Sequence, residues 1–278
     1  MFIFKSKREL QKHLADFVNI KTIGFTPTMG ALHQGHLHLI EQSNLKCDIS
    51  VCSIFVNPTQ FNNPTDLANY PNTLIVDLEK LEKIKCNIVY IPDADDLYAK
   101  GEGAKSYDFG TLSDSLEGEF RPGHFNGMAT VIEKLVNIIE PKIAFFGQKD
   151  LQQLYIVKAL VKQMKSATCI EGVETVREKN GLAKSSRNKL LSESAKEEAS
   201  LIYNCLEYCK KNKGEGIDTL KLHIQQQFTK HEKITLEYAE FVALKTMLPI
   251  NSWGNKNENA VCISAYHSGV RLIDNIIL

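Results

Sequence analysis

The chain has 278 residues, enough to bury a large core and to form two domains. Its composition, 43% hydrophobic and 24% charged, is that of an ordinary soluble globular protein. Lys+Arg and Asp+Glu both number 33, so no overall basic field holds nucleic acid or an anionic membrane, and only a local cationic pocket stays open.

Lys5, Lys7 and Arg8 break the start of the chain before any apolar h-region, so no secretory signal is expected. No apolar run approaches bilayer-spanning length. The seven cysteines include no C-x-x-C pair, and Cys205 and Cys209 read as packing residues. The expectation is a reduced, cytoplasmic protein.

Residues 5–16 predict a first helix over Leu10, Leu14 and Phe17. Thr22–Phe25 read as a strand, and Leu37, Leu39 and Ile40 begin a helical pattern. Between them lies Thr26–His36, T-P-T-M-G-A-L-H-Q-G-H. His33, Gly35 and His36 therefore fall where a strand turns into a helix N-terminus. Unpaired backbone N–H groups and the helix dipole favour an anion there, and Gly30 and Gly35 allow close backbone approach. Two imidazoles at that point can donate to phosphate oxygens and stabilise charge on phosphorus. In isolation, H-x-G-H reads equally as a polar turn with two solvated histidines.

A helix from His36 to about Leu45 leads to the apolar run Ile49–Val56, which suits a strand buried on both faces of a parallel sheet. Asn57-Pro58-Thr59-Gln60-Phe61 ends it. Asn62, Asn63 and Pro64 mark a loop. Leu74–Ile84 has helical spacing, Ile88–Ile91 reads as a strand, and Gly101–Gly118 as the longest loop. Phe125–Ile139 is an amphipathic helix stopped by Pro141. Ile143–Phe146 is a strand, followed by Gly147-Gln148-Lys149-Asp150 and a helix to about Lys165. This alternation implies an α/β doubly wound parallel sheet, with ligands outside the carboxyl ends of its strands. His36, Gln60 and Lys149 all fall just past strand ends and are expected in one crevice.

Near residue 175 the rhythm changes. Helices are expected over about 193–212 and 216–230, the first opened by the capping box Ser194-Ala195-Lys196-Glu197 or by Ser192. Leu236–Val242 and Val261–Ala265 read as strands. The expected division is a larger catalytic domain over residues 1–175 and a smaller α+β domain over 176–278.

Six segments, in order and well spaced, carry a resemblance. They are P-T-M-G-A-L-H-Q-G-H, S-I-F-V-N-P-T-Q-F, R-P-G-H-F-N-G-M, F-F-G-Q-K-D-L-Q-Q-L, V-R-E-K-N-G-L-A-K-S-S-R-N and R-L-I-D-N. Across nearly its whole length the chain resembles the pantothenate synthetase, or pantoate–β-alanine ligase, family of the HIGH-motif nucleotidyltransferases. The resemblance implies a Rossmann-like first domain and a two-step reaction. Pantoate attacks the α-phosphorus of ATP, giving pantoyl adenylate and pyrophosphate; β-alanine then displaces AMP. It also implies Mg²⁺, with no protein ligand assigned, and a homodimer without nucleic-acid or membrane partners.

By that resemblance, Met29, Gly30, Ala31, Leu32, His33, Gln34, Gly35 and His36 line the ATP site, with His33 and His36 at the phosphates. His36 matches the family's proton donor, a task read here as charge stabilisation. Gln60 and Gln153 match the glutamines that hold pantoate, and Gln60 also lies near β-alanine. Gly147, Gln148, Lys149 and Asp150 match a G-E-K-D stretch that contacts ATP, with Lys149 at the α-phosphate. Val176 is implied at adenine. Lys184, Ser185, Ser186 and Arg187 match the M-S-S-R loop that grips the outer phosphates. Gln148, Lys184 and Asn72 depart from the family pattern; Lys184 either adds to the grip or points to solvent. His124 reads as a helix-start or interface residue.

Three other classes compete. A different nucleotidyltransferase shares H-x-G-H but lacks Gln60, Gln153 and R-L-I-D-N. An RNA-binding relative of tRNA synthetases would carry a basic face. A non-catalytic nucleotide binder would not keep both histidines and Lys149. Pyrophosphate release that requires pantoate and no RNA separates them.

Overall fold

Six short apolar segments form one parallel sheet in the order β1-β4-β3-β2-β5-β6. They are β1 Phe2–Phe4, β2 Ile23–Thr28, β3 Ile49–Ile54, β4 Ile88–Tyr90, β5 Ile143–Gly147 and β6 Cys169–Val173. The computed structural model describes residues 1–17, 20–61, 67–68, 70–254 and 258–278. The loop expected at Asn62–Pro64 lies outside the described residues. β2, β3 and β4 are inner strands buried along most of their length; β4 is wholly apolar, β3 carries Ser50 and Ser53, and β2 ends on Thr26, Pro27 and Thr28. From β2 the chain steps outward to β3 and β4; β5 then returns to the other side of β2. The order therefore reverses between β2 and β5, which makes the carboxyl ends of those two strands the place for a ligand.

The chain divides into two compact units. The first holds residues 1–109, 121–147 and 156–173, with the six-stranded sheet. The second holds residues 110–120, 148–155 and 174–278. Its antiparallel sheet β7-β8-β9 comprises β7 Ile234–Ala243, β8 Asn259–His267 and β9 Val270–Ile277. The second unit takes in two segments from before residue 175 because Leu116 and Leu151 pack in one cluster with Val242, Leu244, Ala260 and Cys262. On the opposite face, helices Leu201–Lys211 and Ile217–Thr229 bury Cys205, Cys209, Leu220 and Ile224 against Ile263 and Leu272.

Several elements differ from the sequence-based expectation. β1 and β6 are short edge strands, and β6 carries Glu171 and Gly172, so neither shows a long apolar run. The expected loop Gly101–Gly118 contains a 3-10 turn at Gly110–Ser113 and leads into a short helix at Glu117–Phe120. The helix over 193–212 is two helices, Glu193–Ala199 and Leu201–Lys211. At their junction the Ser200 hydroxyl donates back to Glu197 O, a local bond that competes with the helical ladder. The N-cap is Ser192, whose Oγ accepts from Ala195 N, rather than Ser194.

Candidate active site

In the first unit, the chain leaves β2 at Met29 and turns through two left-handed residues, Gly30 at φ 78° and Ala31 at φ 50°. A non-glycine residue is strained there and needs an external hold. Asp77 supplies it. Its carboxylate, 0% exposed, accepts from the N–H groups of Ala31 and Leu32, both at 2.8 Å, and from the Thr73 hydroxyl at 3.0 Å. Lys80 Nζ donates to Leu32 O at 2.6 Å. Asp77 matches no motif, yet its position carries a signal. In helix Leu74–Lys83 it lies on the apolar stripe of Leu74, Leu78 and Leu81, where a carboxylate survives only if its oxygens are paired.

Helix Gln34–Lys46 starts with a cap made of two imidazoles. His33 is the N-cap, and its Nδ1 accepts from Gly35 N at 3.1 Å. His36 Nδ1 accepts in return from His33 N at 3.4 Å. With both Nδ1 atoms accepting, the proton of each neutral ring sits on Nε2. The ring centroids are 4.0 Å apart. A Cβ on residue 35 would lie 2.8 Å from the His33 ring, so any larger residue there would push the ring aside. Gln34 is exposed on the first turn.

Pro58–Gln60 form a single 3-10 turn after β3. Asn57, buried, donates to Gly127 O at 3.0 Å and to Gln60 Oε1 at 3.3 Å. Gln60 Nε2 donates to Met29 Sδ at 2.9 Å, so the two residues assigned to different substrates touch. His124, at the start of helix His124–Ile139, bonds Gln60 O through Nδ1 at 3.0 Å. Its role within the unit is to back this turn.

In the second unit, Gln148–Asp150 form a 3-10 turn in which Lys149 Nζ pairs with Asp150 Oδ1 at 3.3 Å. Asn275 Nδ2 on β9 donates to Gln148 O at 2.9 Å and Lys149 O at 2.8 Å. Its neighbour Asp274 accepts from Arg177, Nη1 to Oδ2 at 2.5 Å and Nη2 to Oδ1 at 3.1 Å. Burial pushes the Asp274 carboxyl above its ordinary value, while Arg177 pulls the other way. Val176 O accepts from Lys184 N at 2.9 Å, closing the turn between them. Lys184 Nζ pairs with Glu178 Oε2 at 2.6 Å, a carboxylate on its own hairpin. Ser185 caps the turn Ser186–Leu190, its Oγ accepting from Arg187 N at 3.3 Å; Ser186 is buried and Arg187 half-buried.

The paired glutamines of helix Leu151–Gln163 separate clearly. Gln152, 4% exposed, accepts from Glu117 N at 2.9 Å and donates to Leu112 O and Ser115 O, both at 2.8 Å. Gln153 is half-buried, and among the described residues its amide has no hydrogen-bond partner. No helix among the described residues is long and apolar enough to cross a membrane.

The model of the pantoate-beta-alanine ligase family matches residues 2–277. A pantothenate synthetase of Flavobacterium psychrophilum is 41% identical over 281 residues, covering 100% of both chains. One of Cytophaga hutchinsonii is 40% identical over 282 residues, covering 100% of this chain and 99% of that one. The crystal structure of pantothenate synthetase from Thermus thermophilus matches with TM-score 0.93 at 32% identity, over 100% of this chain and 99% of that one. That of pantoate-beta-alanine ligase from Francisella tularensis, complexed with beta-gamma ATP and beta-alanine, matches with TM-score 0.83 at 34% identity, over 100% and 97%.

Proposed function

Because this chain belongs to the pantoate–β-alanine ligase family, we propose a division of labour for its residues in the ATP-dependent condensation of pantoate with β-alanine. The reaction runs through pantoyl adenylate. A pantoate carboxylate oxygen attacks the α-phosphorus and pyrophosphate leaves; the neutral β-alanine amine then attacks the acyl carbon and AMP leaves with its electron pair. A bare carboxylate is a poor acyl donor, and adenylation turns its oxygen into a good leaving group.

The reciprocal histidine cap carries the residue assignment. It puts an N–H on each Nε2 beside a helix N-terminus, a set of donors matched to phosphate oxygens. His33 and His36 stabilise charge moving onto the leaving pyrophosphate, and Met29–Leu32 with Gln34 and Gly35 line the nucleotide. Lys149 meets the α-phosphate, flanked by Gly147, Gln148 and Asp150. Val176 meets adenine through its backbone, and Ser185, Ser186 and Arg187 meet the outer phosphates. Lys184 belongs to that loop through its pair with Glu178. Gln60 holds pantoate and β-alanine. Gln153 holds pantoate, and its uncommitted amide supports this reading where Gln152 is fully engaged.

We assign Mg²⁺ to the reaction as the MgATP complex. Magnesium binds through phosphate oxygens, water and one or two carboxylates, and it offsets charge on pyrophosphate. The assembly proposed is a cytoplasmic homodimer; the seven free cysteines fit a reduced compartment. Equilibrium sedimentation tests it, with a mass twice that of the 31.3 kDa chain expected. The functional test is pyrophosphate release from ATP that requires pantoate and Mg²⁺ but neither RNA nor β-alanine in the first turnover. Pantothenate should appear once β-alanine is added.

A further inference from the structure

Two neighbours on β9, Asp274 and Asn275, hold segments that the proposed function places at different parts of the nucleotide. All of these residues lie in the second unit. Successive strand residues face opposite sides of a sheet. Asp274 shares its face with Val270 and Leu272, which pack among the helices; Asn275 faces the other way. The strand is a firm anchor, paired with β8 from Val270 to Ile277 without a break in register.

Each contact fixes backbone. Asn275 gives both amide hydrogens to consecutive carbonyls, at 2.9 and 2.8 Å, and is 7% exposed. Those bonds pin the Lys149 main chain and leave only its side chain to place the ammonium group. Asp274, 4% exposed, takes the Arg177 guanidinium by two oxygens. The same guanidinium donates to Gly181 O at 3.1 Å and lies 4.3 Å from the centre of the Tyr203 ring. Arg177 is thus held on three sides, and Val176 is bonded to it directly in the chain.

We infer that Asp274 and Asn275 are positioning residues for adenylation: Asn275 sets Lys149, and Asp274, through Arg177, sets the Val176 hairpin. The inference rests on the assignment of Lys149 and Val176 to ATP made above. Its physical content is preorganisation. A cation aimed at a reacting phosphorus loses much of its effect if its Cα drifts, because its interaction must be strongest in the transition state.

The test uses the full-length enzyme and pantoate-dependent exchange of labelled pyrophosphate into ATP, with each substrate varied. Asn275→Ala is expected to lower kcat of exchange about tenfold, the loss of hydrogen bonds worth roughly 1.4 kcal/mol. It should leave the KM for pantoate within about twofold of the parent. Arg177→Lys keeps the charge but loses the two-oxygen grip, and is expected to raise the KM for ATP more than it lowers kcat. A structural role alone would lower thermal midpoint and active fraction while leaving every KM and the kcat per active site unchanged. That result in both variants overturns the inference. Should Asn275→Ala fail to fold, the KM split in Arg177→Lys decides it. The parent is read first: no pantoate-dependent exchange there defeats the functional assignment itself, whatever the variants do.

Discussion

The loop after β2 and the turn around Lys149 are held in different ways. The first organises itself over short distances. His33 caps the helix it begins, His36 returns a bond to His33, and partners are two or three residues apart. Its distant supports include Asp77 and Lys80 of one helix, about a helix and a strand away in the chain. The turn at Lys149 is held by Asn275 across a separation of 126 residues, and the hairpin after Val176 by Asp274 across 97. A site element that caps itself is fixed as soon as its helix forms. One that hangs on a distant strand is fixed only when its whole unit has folded, and a mutation far from the substrate can displace it.

The strongest way to break that contrast is to remove the distant carboxylate that the first loop leans on. Asp77→Ala leaves two buried N–H groups unpaired and Ala31 strained, so about 3–5 kcal/mol of unfolding free energy should be lost. Asp77→Asn keeps one acceptor oxygen and should lose less. Urea unfolding measures both. If Asp77→Ala retained parental stability and full pantoate-dependent pyrophosphate release, the loop would be shown to hold without the Asp77 carboxylate.

The same contrast explains what the sequence made legible. His33, Gly35 and His36 could be read because function and structure sit in one contiguous motif between a strand and a helix. The inner strands β3, β4 and the first half of β2 were readable because burial on both faces selects mostly apolar residues at successive positions. β9 was visible only as the string R-L-I-D-N, since the bonds of Asp274 and Asn275 join it to segments with no local link to it. Asp77 was hidden for the opposite reason: one acidic residue in a charged helix looks solvated until its apolar stripe is traced. Segments 110–120 and 148–155 gave no sign of joining the second unit, because the partners of Leu116 and Leu151 come from beyond residue 240.

The adjacent glutamines sharpen the comparison within one helical turn. Gln152→Ala should cost about 2 kcal/mol of stability, because Glu117 N and Ser115 O lose a buried partner and Leu112 O a half-buried one. Its KM for pantoate should stay at the parental value. Gln153→Ala should do the reverse, with near-parental stability and about 1.5–3 kcal/mol lost from binding the pantoate acid. Steady-state kinetics beside thermal melts separate the two. Equal pantoate KM values for Gln153→Ala and the parent would remove Gln153 from the site.

Alkali should test the buried thiols of both units. Burial pushes the thiols of Cys205, Cys209 and Cys262 up to about 12 and that of Cys86 up to about 11, from an ordinary 9.0. Burial also pushes up the thiols of Cys52 and Cys47, so each unit holds three raised thiols. A raised folded pKa means stability is complete below pH 9 and falls as pH rises towards the folded value, since only the unfolded thiol ionises readily. Each of the first four thiols should contribute a loss of about 1 kcal/mol between pH 9 and 10. Cys262→Ala should flatten that slope by one thiol's share in urea titrations. An unchanged slope would place the thiol in water rather than among Leu151, Val242 and Ala260.

The smallest effect is expected where the chain departs from its family. The resemblance puts methionine at position 184, and the lysine here pairs with Glu178 on the same hairpin. Both side chains are partly exposed, and an ion pair in that setting is worth about 0–1 kcal/mol. The pair is also redundant: Glu178 N donates to Leu182 O and Lys184 N to Val176 O, so the hairpin is closed by backbone whatever side chain stands at 184. Lys184→Met should therefore change stability by less than about 1 kcal/mol and leave the KM for ATP within about twofold. Raising salt should bring parent and variant closer still, since screening weakens an exposed pair. A large rise in ATP KM in Lys184→Met would mean that the lysine abandons Glu178 for phosphate when ATP binds. The second unit would then have a mobile cation in place of a fixed brace, and the KM of Glu178→Gln, which frees the lysine, should fall below the parental value.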